Sequence, residues 1–336
     1  MESWIAYYCI SAFLVIAFHT AAGSDSEPPL LLLASRNDIK AISISSGNQA
    51  SLVDSFVNVV DVDYDYDEEL MFFHDATQKK IFLVSNISTR SNLFLPTSPE
   101  VIVNNTELAQ TIAYDWVHKV LYWTEARKDT IELLTIQGRH HLTIVDTNLD
   151  LPGGIAVDPR VDQGWIYWTD WGRKPKIEKA GLDGSHRTLL LATGLGKPVD
   201  LTIDYAGNSL YWTDTRLDSI SSCDLNGQNV RVVFSDARFT QYPFSIDVFG
   251  HMVYWSDWRS DAIYEVDTTD SSPNARTVRR TSLNPLGLRI YHQARRPKGE
   301  NPCRINNGGC SHICLASPAI RPRKQKSSCF CPDIGC

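Results

Sequence analysis

The sequence predicts an all-β protein: a six-bladed β-propeller followed by a small disulfide-rich module. Three observations carry the prediction. An aromatic pair closed two residues later by an acid recurs in phase, as Phe72-Phe73-His74-Asp75, Tyr122-Trp123-Thr124-Glu125, Tyr167-Trp168-Thr169-Asp170, Tyr211-Trp212-Thr213-Asp214 and Tyr254-Trp255-Ser256-Asp257. The copies begin at 72, 122, 167, 211 and 254, so their spacing falls from 50 to 43 residues. A period of roughly 40–45 residues with several strands per unit marks a propeller. The two ends of this region complete each other: Pro285 to Ile290 reads as a first strand with no tetrad after it, and Leu30 to Ile44 as a strand pair with no first strand before it. A sixth blade assembled from both closes the ring and removes its open edges. Finally, six of the eight cysteines (Cys303, Cys310, Cys314, Cys329, Cys331 and Cys336) crowd the end of the chain, a disulfide module that implies an oxidising compartment.

Taken in order, residues 1–23 read as a signal peptide, apolar from Ile5 to Phe18 and ending in Ala21-Ala22-Gly23. The run is too short to span a bilayer comfortably, and no later stretch reaches 18 apolar residues. Residues 24–291 form the propeller. Its third unit sets the pattern: a first strand Gly154 to Asp158, a second Trp165 to Trp171, a third Lys176 to Ala180 and a fourth Thr188 to Ala192. Asp183-Gly184 between the last two reads as a two-residue type I′ hairpin, repeated as Gln137-Gly138 and Asn226-Gly227. Asp158, Asp204 and Asp247, at the ends of first strands, read as turn and cap residues. Residues 292–302 are a linker and 303–336 the module, whose short last loop suggests truncation.

Composition narrows the function. With 43% hydrophobic and 21% charged residues the chain is ordinary and globular, and its net charge of −7 argues against a nucleic-acid partner. No Gly-x-Ser-x-Gly elbow, phosphate loop or zinc helix occurs, so neither an enzyme nor a cofactor is expected. His140-His141 lacks a third ligand at zinc spacing, so no metal is expected. Asn86 and Asn104 begin N-x-S/T sequons, which fit an exported glycoprotein. Lone Cys223 reads as a buried hydrophobe, and Arg321 to Lys326 as an exposed basic loop.

From Tyr167 through Gly172, from Pro175 through Gly184, and again over Asn301-Pro302-Cys303 and Asn306-Asn307-Gly308-Gly309-Cys310-Ser311-His312-Ile313-Cys314, the chain resembles the YWTD-propeller-plus-EGF unit of the low-density lipoprotein receptor-related family. The resemblance implies an EGF-like module with pairs Cys303–Cys314, Cys310–Cys329 and Cys331–Cys336. A propeller starting directly after the signal peptide is similar in layout to the Wnt co-receptor members, whose first propeller binds Wnt ligands and secreted antagonists on its top face. The partners implied are therefore secreted proteins, at the cell surface or in the medium, with a membrane involved only through a span beyond residue 336. An endocytic lipoprotein-receptor module, releasing cargo in acid, is the alternative, with His251 and His292 as switch candidates. A soluble decoy is expected if the transcript ends at Cys336.

The tetrads themselves read as structural, their aromatics filling the space between blades and their acids accepting hydrogen bonds from a neighbouring strand. Ligand contacts are expected from top-face residues that do not repeat: Arg36, Lys79, Arg127, Lys197, Phe244 and Trp258. Aligned with the co-receptors, Arg36, Phe244 and Trp258 are retained, whereas Lys79, Arg127 and Val199 replace acidic residues or an Asn and Lys197 replaces a Trp. Charge reversal on a rim changes partner choice. Trp171 beside the third tetrad is a further surface candidate, and Arg173 and Lys174 extend a basic rim.

Overall fold

The computed structural model describes residues 28–87, 98–160, 163–282, 284–318 and 326–332. The expected signal peptide and most of the basic loop before Lys326 lie outside them.

Six four-stranded antiparallel sheets and one two-stranded sheet make up the described chain. In blade 3 the order from the shaft outward is Pro152–Asp158, Trp165–Asp170, Lys176–Gly181 and Thr188–Leu191. β-Branched and aromatic residues dominate the inner strands, which suits a pleated surface packed on both faces. Blade 6 takes its innermost strand, Pro285–Tyr291, from one end of the propeller and Leu30–Ser35, Asp38–Ser43 and Gln49–Val53 from the other, with Leu31 opposite Ile290 and Leu33 opposite Leu288. The Tyr64 hydroxyl of blade 1 donates to the Ile290 carbonyl at 2.6 Å and fastens the closure.

The core lies between blades. Trp123, Trp168, Trp212 and Trp255 are among the largest fully buried side chains. Burying a ring of this kind removes about 150–250 Å² from water, worth about 4–6 kcal/mol at ~25 cal/mol per Å². Tyr122 spans to the next blade, its hydroxyl donating to the Leu182 carbonyl at 2.9 Å. Cys223 is buried, and burial pushes its thiol up to about 12.

One turn differs from expectation. The connection after Lys176–Gly181 is six residues long, and Gly184 has a positive φ of 78° while Asp183 does not. The Gly184 N–H donates to the Gly181 carbonyl (2.8 Å) and the Gly181 N–H to the Ser185 carbonyl (2.6 Å). This is a tight turn closed by one left-handed glycine rather than a type I′ pair. Gly138 and Gly227 are left-handed without Gln137 or Asn226, so the same correction applies to both.

Below the ring, Ile313–Ser317 pairs with Lys326–Phe330, and disulfides Cys303–Cys314 and Cys310–Cys329 tie the hairpin to the preceding turn. The expected bridge Cys331–Cys336 ends on Cys336, outside the described residues.

Candidate functional site

The tetrad acids build the upper end of the ring. Asp75 accepts the Val57 and Asn58 amides (3.0 and 3.2 Å) on one oxygen and those of Thr77 and Gln78 (2.9 and 2.8 Å) on the other. Asp214 accepts the Gly196 amide on one oxygen and those of Lys197, Arg216 and Leu217 on the other. Asp257 takes the amides of Tyr242, Arg259 and Ser260. The partners are loop amides of the same blade, not the neighbouring strand that the sequence suggested. Each of these three acids thus fixes the segment entering its blade and the turn after its second strand.

Those fixed loops frame a mouth of about 170 Å³ at the top of the shaft. Lys197 sets its ammonium 4.3 Å from the Trp171 ring centroid and 3.5 Å from the Tyr242 hydroxyl. Trp258 packs on Tyr242 at 5.7 Å. Phe244 lines the wall, and Asp61 and Asp200 form the floor. Arg289 divides itself between these two acids, at 3.2 and 3.5 Å. Burial drives the Asp61 carboxyl well above the carboxylate range; Arg289 opposes this and the Asp200 charge adds to it. Asp61 Oδ1 is buried without a hydrogen-bond partner. Gly287 permits this floor, since a Cβ there would stand 2.6 Å from the Asp61 Cα.

Among the described residues, four of the nine exposed large apolar residues lie at this same end, the other five on outer strands, their turns or the module. Val57 (54% exposed), Leu108 (37%), Leu217 (48%) and Trp258 (38%) all lie on loops that the tetrads organise. Lys197 and Phe244 line the mouth, with Trp258 beside them. Arg36, Lys79 and Arg127 stand exposed on turns farther out and do not line it. Arg127 pairs with Glu107 at 3.8 Å and Arg173 with Asp150 at 3.2 Å, so the rim is less basic than its Arg and Lys content suggests. The sequons' Asn86 and Asn104 are both exposed.

Sequence reasoning missed Asp61, Asp200, Tyr242 and Arg289. The available signal was alternation: Asp61 and Asp63 occupy successive same-face positions of Val59–Asp65, on the face that turns to the shaft. It also misread Asp247. That residue is no turn cap but a shaft residue, accepting the Ile290 amide at 2.7 Å and pairing with Arg295. Arg296 likewise pairs with Asp63 and stacks on Tyr64 and Trp116. Two arginines of the expected linker therefore plug the lower shaft.

The module docks below blades 2 and 3. Buried Asp183 accepts the Ser317 and Ser328 hydroxyls at 2.5 and 2.7 Å. His118 joins Asp115 at 2.6 Å and the Glu300 carbonyl at 3.2 Å. Burial works against its charged form, but the Asp115 carboxylate outweighs it and the imidazole pKa is raised. His140 and His312 face each other across the junction at 6.4 Å. Among the described residues, the imidazoles lining this junction are these three. His251 instead pairs with Asp267, and His292 caps a short 3-10 turn against Phe249. Among the described residues no group of three or more His, Cys, Asp or Glu is placed to hold a metal ion, and no helix is long and apolar enough to cross a membrane.

The chain is a closed six-bladed propeller of YWTD type with a lined mouth at one end. Residues 119–159, 164–205 and 208–249 match the low-density lipoprotein receptor repeat class B. The chain is 32% identical over 312 residues to low-density lipoprotein receptor-related protein 8 of Gallus gallus, covering 91% of this chain and 33% of that protein. It thus spans about a third of the length of that relative. A propeller from the crystal structure of a nidogen/laminin complex superposes with a TM-score of 0.69 at 23% identity, covering 78% of this chain and 98% of the other, and so shares the fold. The chain belongs to the low-density lipoprotein receptor-related family.

Proposed function

We propose that this chain is an extracellular module that binds secreted protein ligands on the upper face of its propeller, in the manner of a Wnt co-receptor and without catalysis of its own. The observation that carries the reading is the coincidence, at one end of the ring, of an apolar rim, an aromatic-framed cation and a buried acceptor with no partner. Exposed apolar residues flanked by charge mark protein interfaces, and Trp anchors dominate their energetics. The solved propeller that shares this fold comes from a complex with a protein, laminin. In this reading residues 1–23 direct export, 24–291 bind, 292–302 anchor the shaft, and 303–336 form an EGF-like spacer. The contact set is Lys197, Phe244 and Trp258 at the mouth, with Arg36, Lys79 and Arg127 as outer selectors.

The endocytic reading is favoured by one observation, the three imidazoles between ring and module. Purified secreted chain assayed against Wnt proteins and their secreted antagonists separates the two. Binding that falls at least tenfold in Trp258→Ala and changes partner preference in Lys197→Glu supports the co-receptor reading. No binding at micromolar concentration sinks it.

A further inference from the structure

Lys197 is the charge of the mouth that the fold leaves unmatched. Beneath it, Arg289 is divided between Asp61 and Asp200. Asp61 also accepts the Ile112 amide at 2.9 Å, and Asp200 accepts the Leu201 and Ile246 amides at 2.9 and 3.1 Å and the Ser245 hydroxyl at 2.7 Å. Both acids are 1% exposed, so a group entering the mouth does not reach them. It reaches Lys197, which is half-buried and has no carboxylate within ion-pair distance among the described residues. The ammonium lies 4.3 Å from the Trp171 ring centroid and 6.0 Å from that of Tyr242, with the Tyr242 hydroxyl at 3.5 Å. Ring faces attract a cation but carry no formal charge, so an ammonium partly desolvated against them still gains from a carboxylate.

The site is held in place from below. The Lys197 amide donates to Asp214 at 2.8 Å, and its carbonyl receives the Thr215 amide at 3.1 Å. Trp171 lies over Gly153, where a Cβ would stand 2.7 Å from the indole, and the Tyr242 amide donates to Asp257 at 2.7 Å. A pocket fixed in advance costs a ligand little ordering. The surroundings carry the same sign of charge. Arg216 follows Asp214 on its turn and Arg259 follows Trp258; both are exposed. Unlike Arg127 and Arg173, which pair with Glu107 and Asp150, neither has a carboxylate partner among the described residues. Arg216 abuts the residue before Lys197, since a Cβ on Gly196 would stand 2.9 Å from the Arg216 Cβ.

We propose that the mouth takes the side-chain carboxylate of an Asp or Glu on a protein ligand, held against the Lys197 ammonium between the Trp171 and Tyr242 rings, with a bulky apolar residue of the same segment resting on Trp258. The inference rests on the upper face being the ligand face, as proposed above, and names the chemistry that face selects. A volume of about 170 Å³ admits one side chain and no folded element. A neutral amide there would leave the ammonium charge unmatched, and a ligand Lys or Arg would meet it with like charge. Arg216 and Arg259, being exposed, add little to affinity and serve mainly to turn basic segments away.

The test uses the full secreted chain and a phage library of disulfide-cyclised peptides, fused at their C-termini so that only side chains supply carboxylates. Wild type should enrich peptides with an Asp or Glu within two residues of a bulky apolar residue. A synthetic, amidated copy of the best peptide should lose at least about tenfold in affinity when its acid becomes the amide, and at least about tenfold on Lys197→Gln. Both changes together should cost little more than either alone, as for two groups in contact. Lys197→Arg should keep the acid preference, and Lys197→Glu should enrich basic peptides instead. Failure to select any peptide, selection of peptides without an acid, or an acid whose replacement costs as much in Lys197→Gln as in wild type overturns the inference. Binding of a Wnt protein or antagonist that falls in Trp258→Ala but not in Lys197→Gln also overturns it and leaves the proposed function standing. Acid-selective, Lys197-dependent peptides on a chain that binds neither class of protein support the inference and overturn the co-receptor reading.

Discussion

His74 sits where the other tetrads carry Thr124, Thr169, Thr213 or Ser256, and this one exchange should make blade 1 sensitive to acid. The ring is 1% exposed, its Nε2 lies 3.0 Å from the Thr106 hydroxyl, and its Nδ1 has no partner. Burial lowers its pKa from 6.5 to about 4, against the opposing pull of the Asp75 carboxylate. The folded protein therefore refuses a proton that the unfolded chain accepts. This contribution to stability is complete above about pH 6.5 and is lost as the pH falls toward 4. The full shift corresponds to about 3 kcal/mol, of which about 2 kcal/mol is gone by about pH 5. His74→Thr should remove the dependence. Asp170, which burial raises to about 6, moves stability in the opposite sense, as does Asp61, but both are common to the two proteins and cancel in the difference. Denaturant midpoints read by Trp fluorescence, from about pH 7.5 to about pH 4.5, give the difference curve. A curve that stays flat across that window refutes the reasoning.

Two further outcomes follow from the buried polar contacts. Arg289→Met leaves Asp61 and Asp200 uncompensated in the shaft and should cost about 3–5 kcal/mol of stability, partly recovered by adding Asp200→Asn; a wild-type denaturation midpoint would show that the shaft charges do not hold the ring. Asp183→Ala removes the charged acceptor of two half-buried module hydroxyls, which keep only their 2.9 Å contact with each other, and should weaken docking by about 1–3 kcal/mol. Hydrogen exchange in Ile313–Ser317 should then rise while blades 4 to 6 stay protected, and unchanged exchange would place the docking energy elsewhere.

How much of this was legible depends on whether a feature repeats. The tetrads fix strand position and inter-blade packing because each copy solves the same local problem, burying an aromatic pair between sheets. Closure through blade 6 was legible because the two fragments each lacked what the other supplied. Asp183-Gly184 announced a turn, but its type follows from the length of the connection, six residues here, and the same single left-handed glycine recurs at Gly138 and Gly227. Lys197, Phe244 and Trp258 were named from the resemblance to the co-receptors, and the fold sets the first two in the wall of the mouth and the third beside them. Asp61 and Asp63 were passed over because an acid alternating along a strand reads as solvent-facing until the ring is known to close around it, and Asp247 was misread as a turn cap because it was ranked with Asp158 and Asp204. Arg295 and Arg296 were passed over because, beside prolines and lysines, they look like linker.

The sequence by itself determined the class of fold and which end of each blade carries the variable residues, since these rest on hydrogen bonding and burial repeated within about 50 residues, and the number of blades and the closure, since the two end fragments each lack the strands the other holds. Only the tertiary structure decided the charge ladder of the shaft, the unpaired oxygen of Asp61, and the seat of the module. Arg289 meets Asp61 from 228 residues away, and Arg296 meets Asp63 from 233. No local pattern specifies which acid an arginine will reach across a closed ring, because that choice is made by the geometry of six blades at once.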